Sequence, residues 1–197
     1  MIKRTFDIVS SGVGLILLSP LLIVVALLVK LTSRGPVLFR QERVGRHFKP
    51  FRMNKFRSMV PDAPSRGAQI TAGRDPRITR VGAVLRATKI DELPQLFNVL
   101  VGDMSVVGPR PEVPRYVEMY RDRYAEVLSV RPGITDLASL KYRDESALLG
   151  EAEDPEALYV NEILPDKIEL AREYIRRKSF WFDMSVILQT FWKIVRS

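Results

Sequence analysis

The feature that most constrains this chain is a run of 22 residues, 8–29, without a single charge. As one helix it would reach roughly 33 Å at 1.5 Å per residue, about the hydrocarbon thickness of a bilayer. Lys3 and Arg4 ahead of it resemble the start of a signal peptide, but the run is too long and no small-x-small cleavage site follows. A straight crossing is opposed by charge. Lys3 and Arg4 stand at one end, Lys30 and Arg34 at the other, and positive residues prefer the cytoplasmic side. A hairpin that enters and returns on one face keeps both ends inside. Pro20 offers the means, because it removes a backbone donor and clashes with the preceding turn, so the helix kinks or breaks there. The Ser19 hydroxyl can bond a freed carbonyl, which lowers the cost of exposed backbone in lipid. Proline also occurs in spanning helices. The expectation is a re-entrant N-terminal helix hairpin broken at Ser19-Pro20.

Charge is unevenly spread. The chain of 197 residues carries a net +8, yet residues 1–60 hold eleven Lys and Arg against Asp7 and Glu42, a net of +9 that leaves −1 for the remainder. That block points to an anionic partner: phospholipid headgroups, a phosphorylated small molecule or nucleic acid. It lacks the interleaved aromatics of a single-strand platform, which argues against nucleic acid. The absence of cysteine excludes a disulfide framework and a thiolate site.

The last segment, residues 179–197, places Phe180, Met184, Ile187, Leu188, Phe191 and Val195 at helical spacing on one face, with Trp181 and Trp192 suited to a headgroup boundary. Asp183 and Lys193 make it too polar to span. It reads as an amphipathic interfacial helix or as a helix packed on the protein's own core. Between these ends, VLFRQER and PFRMNKFRSM flank VGRHFK as a β-hairpin, with His47, the lone histidine, on its surface loop. VGAVLRATKI and DELPQLFNVLVG read as helical, with Pro94 tolerable only in a first turn. GDMSVVGPRPEVP reads as loop, residues 114–128 as helix, VRPGIT as a tight turn, and residues 155–178 as charged helix with a solvated face. The fold class is α+β, mainly α, in one domain: a membrane helix over 1–34, a cytoplasmic part over 35–178 and the terminal helix over 179–197.

The chemistry gathers around ATKIDELPQLFNVLVGDMSVVGPRP. Asp91 and Glu92 are adjacent acids ahead of a helical pattern, where capping is the plain alternative. Arg74, Arg77, Arg80, Arg86 and Lys89 precede them, and Arg110 follows between Pro109 and Pro111. Cations that close keep a carboxylate ionised and match the oxygens of a diphosphate. A carboxylate beside phosphates calls for a divalent cation, ordinarily Mg²⁺. This fits phosphoryl transfer with carboxylate catalysis, Asp91 and Glu92 pointing in different directions and taking different jobs.

With KRTFDIVSSGVGLILLSPLL, GPVLFRQERVGR, DPRITRVGAVLR, DELPQLFNVLVGDMSVVGPRP and VRPGIT in order along nearly the whole length, the chain resembles the monotopic phosphoglycosyl transferases among the bacterial sugar transferases. The resemblance implies transfer of a phosphosugar from a UDP-sugar to polyprenyl phosphate at the inner membrane, catalytic part facing the cytoplasm, with UMP leaving. It implies Asp91 as nucleophile of a covalent phosphosugar intermediate and ligand of Mg²⁺, Glu92 as its partner, and a re-entrant helix broken at Ser19-Pro20. Arg86 and Arg110 match family arginines and become phosphate-binding candidates. Arg77 and Arg80 lie in a shared motif and Arg143 falls on the nucleotide side. The implied partners are the UDP-sugar, polyprenyl phosphate and the phospholipid membrane, with a homodimer left open. The segment Asp136-Leu137-Ala138-Ser139-Leu140-Lys141-Tyr142 departs from the family pattern, and the chain resembles a minimal catalytic unit. The competing readings are a basic membrane-anchored binding protein and an inactive scaffold.

Overall fold

The computed structural model describes residues 2–63, 66–67, 70–73 and 75–196, and of residues 194 and 195 the backbone alone. Arg74, and the side chain of Val195, therefore lie outside the described residues. In chain order the elements are α1 (Ile2–Thr32), β1 (Leu38–Val44), β2 (Pro50–Phe56), α2 (Arg80–Ala87), α3 (Gln95–Val101), β3 (Ser105–Val107), α4 (Pro114–Met119), α5 (Arg121–Val127), β4 (Gly133–Thr135), α6 (Leu137–Lys141), α7 (Glu145–Gly150), α8 (Pro155–Leu158), α9 (Leu164–Arg177) and α10 (Phe180–Val195). A 3-10 turn, Ile90–Glu92, leads into α3, and a π turn, Tyr159–Ile163, joins α8 to α9.

The N-terminal segment is one helix of 31 residues that runs unbroken through Pro20. No break divides α1 at Ser19-Pro20, and the reason is local. Pro20 has no N–H to offer the Ile16 carbonyl one turn back, and the Ser19 Oγ donates to that same oxygen at 2.8 Å. The orphaned acceptor is satisfied, so the helix does not have to end. Only 11% of the apolar window of α1 is buried. Ile16, Leu17, Ile23, Val24 and Leu27 are all exposed.

Both ends of α1 rest on the folded body. Near its start Asp7 is buried and accepts from Ser105 Oγ and the Val106 N–H, each at 3.0 Å. Lys3 donates to the Val107 carbonyl at 2.9 Å and pairs with Asp183 of α10 at 2.5 Å. Arg4 donates to the Val99 and Leu100 carbonyls at the end of α3, at 2.6 and 3.0 Å. Near its finish Val25 and Val29 pack with Phe56 and Leu85, and Arg57 donates to the carbonyls of Val29 and Ser33 at 3.2 and 2.8 Å. The last carbonyls of a helix have no partner within it, and here an arginine supplies the donors.

The predicted β-hairpin is present: β1 and β2 pair antiparallel from Leu38↔Phe56 to Val44↔Pro50, with His47 exposed in the connection. Two segments read as loop and turn are instead a second, parallel pair, β3 with β4, in register Ser105↔Gly133 and Val107↔Thr135. Three-residue strands are too short to show a period of two, so no alternation announced them. Their backbones come close enough that a Cβ on Gly133 would lie 2.1 Å from the Gly108 nitrogen. This pairing delivers Arg110, just past β3, to the centre of the molecule.

Residues 155–178 are helical as expected, and opposite their charged face an apolar stripe covers the largest core cluster. Tyr159, Ile163, Leu164 and Ile168 are buried there with Tyr116, Val117, Tyr124 and Val127 of α4 and α5. Full burial of such a side chain contributes roughly 1.5–3 kcal/mol. The charges lie on the other side and hid the stripe. The α10 helix combines the two readings made of it: Val186 and Asp183 are buried on the body, whereas Phe180, Trp181, Leu188, Phe191 and Trp192 are exposed.

Candidate active site

The 3-10 turn of Ile90–Glu92 carries the paired acids. α2 ends at Thr88, Lys89 takes a left-handed conformation (φ 59°), and the turn follows before Pro94 stands at the N-cap of α3. Lys89 reverses the chain so sharply that Asp91 and Glu92 point into a cleft of about 1820 Å³ bounded by β1, β2, α2, α3, the segment after β3, and α6 to α7.

The two acids meet different surroundings. Glu92 Oε1 lies 2.9 Å from Lys55 Nζ of β2 and 2.6 Å from Arg110 Nη2. Burial alone would raise its pKa, but Arg110 and Lys55 outweigh that and hold the carboxyl well below its usual range. Arg110 is raised in return, chiefly by Glu92, and its own N–H is anchored on Asp136 Oδ2 at 2.8 Å. Lys55 is lowered, because burial exceeds what Glu92 restores. Asp91 is 6% exposed, and its Oδ1 has no hydrogen-bond partner among the described residues. Burial pushes its carboxyl up, Lys55 pulls it down, and Glu92 pushes it up again. Of the cations expected to keep the acids ionised, Arg110 is engaged by Glu92, which Lys55 also holds.

Arg86, in the last turn of α2, donates to hydroxyls alone: Nε to Ser58 Oγ at 3.1 Å, and Nη1 and Nη2 to Thr71 Oγ1 at 3.3 Å. No carboxylate forms an ion pair with it among the described residues. Gly82 makes the arrangement fit, since a Cβ there would lie 1.9 Å from the Ser58 carbonyl oxygen. A guanidinium held by hydroxyls keeps its charge available to an anion.

All seven predicted site residues line this one cleft, in different states. Arg77 is engaged with Asp75, Nη2 to Oδ2 at 2.6 Å and Nε to Oδ1 at 2.9 Å, which holds the Asp75 carboxyl low. Arg80 is exposed at the first position of α2. Arg143 donates to the Lys193 carbonyl of α10. Sequence reasoning passed over Lys55, Ser58 and Thr71. Lys55 was one of eleven cations in residues 1–60, and only the strand register singles it out.

The donor set suits a magnesium ion shared with a phosphorylated ligand. No cluster of three potential metal-ligating side chains occurs among the described residues. Mg²⁺ is ordinarily held by one or two carboxylates together with substrate phosphates, and the free Oδ1 of Asp91 is the oxygen available for it.

The model of the bacterial sugar transferase family matches residues 1–197. The chain is 42% identical over 193 residues to the UDP-N-acetylgalactosamine-undecaprenyl-phosphate N-acetylgalactosaminephosphotransferase of Aeromonas hydrophila, covering 96% of this chain and 42% of that protein. It is 41% identical over 197 residues to the UDP-glucose:undecaprenyl-phosphate glucose-1-phosphate transferase of Escherichia coli K12, 98% of this chain and 40% of the relative. The like-named protein of Caulobacter vibrioides is 42% identical over 193 residues, 95% of this chain and 67% of the relative. The chain thus spans about two fifths of the length of the first two. With the seven candidate catalytic and binding residues on one cleft and the family model matched from end to end, this chain belongs to the bacterial sugar transferase family.

Proposed function

We propose that the cleft transfers a phosphosugar from a UDP-sugar to polyprenyl phosphate in two steps. In the first, an Asp91 carboxylate oxygen attacks the β-phosphorus, a P–O bond forms to Asp91, the bond to the bridging oxygen breaks, and UMP leaves. In the second, a phosphate oxygen of the acceptor attacks the same phosphorus and releases Asp91, giving the polyprenyl diphosphosugar. The observation that carries this reading is the buried, unpartnered Oδ1 of Asp91 beside a Glu92 saturated by cations. A nucleophile must keep a lone pair free, and a raised pKa makes it more basic. Glu92 fixes Lys55 and Arg110 in place. Arg86, with Ser58 and Thr71, and Arg110 bind the phosphates. Arg77, Arg80 and Arg143 line the donor's route. Magnesium, when bound, supplies positive charge to the diphosphate.

The membrane arrangement belongs to the same proposal. Both ends of α1 rest on one folded body, so a straight crossing would drag that body through the bilayer. A helix that dips into one leaflet keeps the Lys3, Arg4 and Arg57 contacts and leaves the exposed middle of α1 in lipid. The excess of Lys and Arg supports the cytoplasmic face of the inner membrane as the side on which the body lies. The relatives' names differ in the sugar, N-acetylgalactosamine or glucose, and the sugar here remains to be assigned by assay.

The test is the half-reaction. Given a panel of UDP-sugars, Mg²⁺ and no acceptor, the protein should release about one equivalent of UMP and gain the mass of a phosphosugar on the peptide that holds Asp91. Turnover that requires both substrates, with no adduct, would replace the covalent route by direct transfer. No UMP with any donor and acceptor would end the transferase reading.

A further inference from the structure

The cleft has two chemically distinct rims. One, from α6 to α9, carries Tyr142, Arg143, Glu145 and Lys167. The other carries a set of apolar side chains, Phe39, Leu38, Ala83, Ala87, Leu93 and Leu96, alongside Arg40, Arg80, Arg86 and Lys89. Phe39 is the register partner of Lys55, and directly opposed residues of an antiparallel pair share a face, so its ring stands on the same face of the hairpin as the cation that holds Glu92. It is 39% exposed, a large aromatic left open amid charge. Leu93 stands two positions after Asp91.

This rim is continuous with the membrane helix. Leu38 packs against the cluster that seats Val25 and Val29 of α1. Leu96 reaches the Gly14 position, where a Cβ would meet its Cδ1 at 3.3 Å. The exposed apolar side chains of α1 thus lead to the rim, and the rim leads to Asp91. A sugar or a nucleobase needs hydrogen-bonding groups that these six side chains lack, whereas a hydrocarbon chain needs none.

We infer that the rim of Phe39, Leu93 and Leu96 is the acceptor subsite, where the first isoprene units of polyprenyl phosphate lie as its phosphate reaches Asp91. The inference rests on the transferase reading for the identity of the acceptor. It adds the direction of entry, from the bilayer past α1, and leaves the polar rim to the donor. The apolar rim also explains how a lipid can deliver its headgroup to a buried carboxylate without leaving the membrane: the first units of its chain exchange one apolar surface for another.

The test is independent of turnover. A polyprenyl phosphate with a diazirine in its second isoprene unit is photolysed with the full chain in nanodiscs, and the labelled peptides are mapped. Label on residues 38–39 and 93–96, competed by unlabelled polyprenyl phosphate and not by equal phosphatidylglycerol, is the expected result. Label confined to α10 or elsewhere, or competition by either lipid alike, overturns it. A second measurement uses selectivity. Phe39→Ser should lower kcat/KM about tenfold for a long-chain acceptor, and less than threefold for an acceptor of one isoprene unit. Equal losses for both chain lengths, or none, would place Phe39 elsewhere. Absence of all wild-type turnover would defeat the transferase reading, while the photolabel would still decide the location of the lipid.

Discussion

Two half-buried glutamates line the same cleft, and they differ in what stands next to them. Glu112 bonds Arg43 Nη1 at 2.9 Å, the Val113 N–H at 2.8 Å and the Tyr159 hydroxyl. Arg43 and Lys167 hold its carboxyl low against burial. Glu92 is held by Lys55 and Arg110 with similar exposure, 13% against 12%. A charge census would score the two centres alike. The difference is Asp91, a second carboxylate at the Glu92 centre with an oxygen that nothing among the described residues satisfies. A saturated ion pair locks a fold, and a deliberately incomplete one can react. Leaving a buried polar atom unpaired costs about 1–3 kcal/mol, a cost that folds tolerate at functional sites.

The sharpest way to break the comparison is to remove the unpaired oxygen's charge. Asp91→Asn should abolish turnover, on the order of 10⁴-fold or more, and leave the folded state intact by circular dichroism. Glu112→Gln should do the reverse. Breaking a buried pair costs about 3 kcal/mol, or roughly 6–12 °C of melting temperature for a chain of this size, so it should lower stability far more than kcat at permissive temperature. If Glu112→Gln abolishes turnover without loss of stability, the two centres are not distinct. Next in size is Arg86→Ala. It removes charge-assisted bonds of about 1.5–3 kcal/mol each to a dense anion, an activity loss of roughly 10–150-fold with little change in melting temperature. Activity within twofold of wild type would show that Arg86 does not face the phosphates.

The smallest effect is the pH dependence, and its sign separates the two carboxyls. The Asp91 pKa is raised in the folded protein. Between the ordinary carboxylate range and that raised value the unfolded chain loses a proton that the folded one keeps, so Asp91 weakens the fold as pH rises. Asp91→Asn should therefore gain melting temperature over wild type, more near neutrality than in acid. The Glu112 pKa is lowered. Its stabilisation is present above the ordinary glutamate pKa and is lost as pH falls through the lowered value, so the Glu112→Gln deficit should fade in acid. Melting curves across about pH 3–7 measure both, and parallel trends would refute the contrast. At the membrane, Pro20→Ala restores the missing donor and releases Ser19 from the Ile16 carbonyl. A straighter helix should then weaken the one-sided topology, read by labelling a cysteine introduced near Lys3 in intact cells. Wild-type labelling from outside would defeat the one-leaflet arrangement.

Much of this protein was legible in its order of residues. The uncharged run made α1, two short extended stretches around a turn made the β1–β2 hairpin, and dense motifs marked Asp91, Glu92, Arg86 and Arg110. These are local signals: hydrophobic period, turn chemistry and adjacency in the chain. What stayed hidden depends on contacts between distant segments. Ser19 holding the Ile16 carbonyl kept α1 whole, although the pair was read as a break. Ser105–Val107 and Gly133–Thr135 became strands only because each found the other, 28 positions apart in the register Ser105↔Gly133. The charged segment 155–178 turned its apolar stripe to the core because α4 and α5 offered a surface to cover.

The sequence by itself determined that an apolar helix meets a membrane and that two acids meet several arginines, since composition and spacing decide both. Which acid is satisfied and which is left bare was decided by the tertiary structure alone. Lys55 comes from a strand and Arg110 from the segment after β3, and the fold spends both on Glu92. Electrostatic pairing falls off over a few ångströms, so the contrast between Asp91 and Glu92 rests on distances that no order of letters contains.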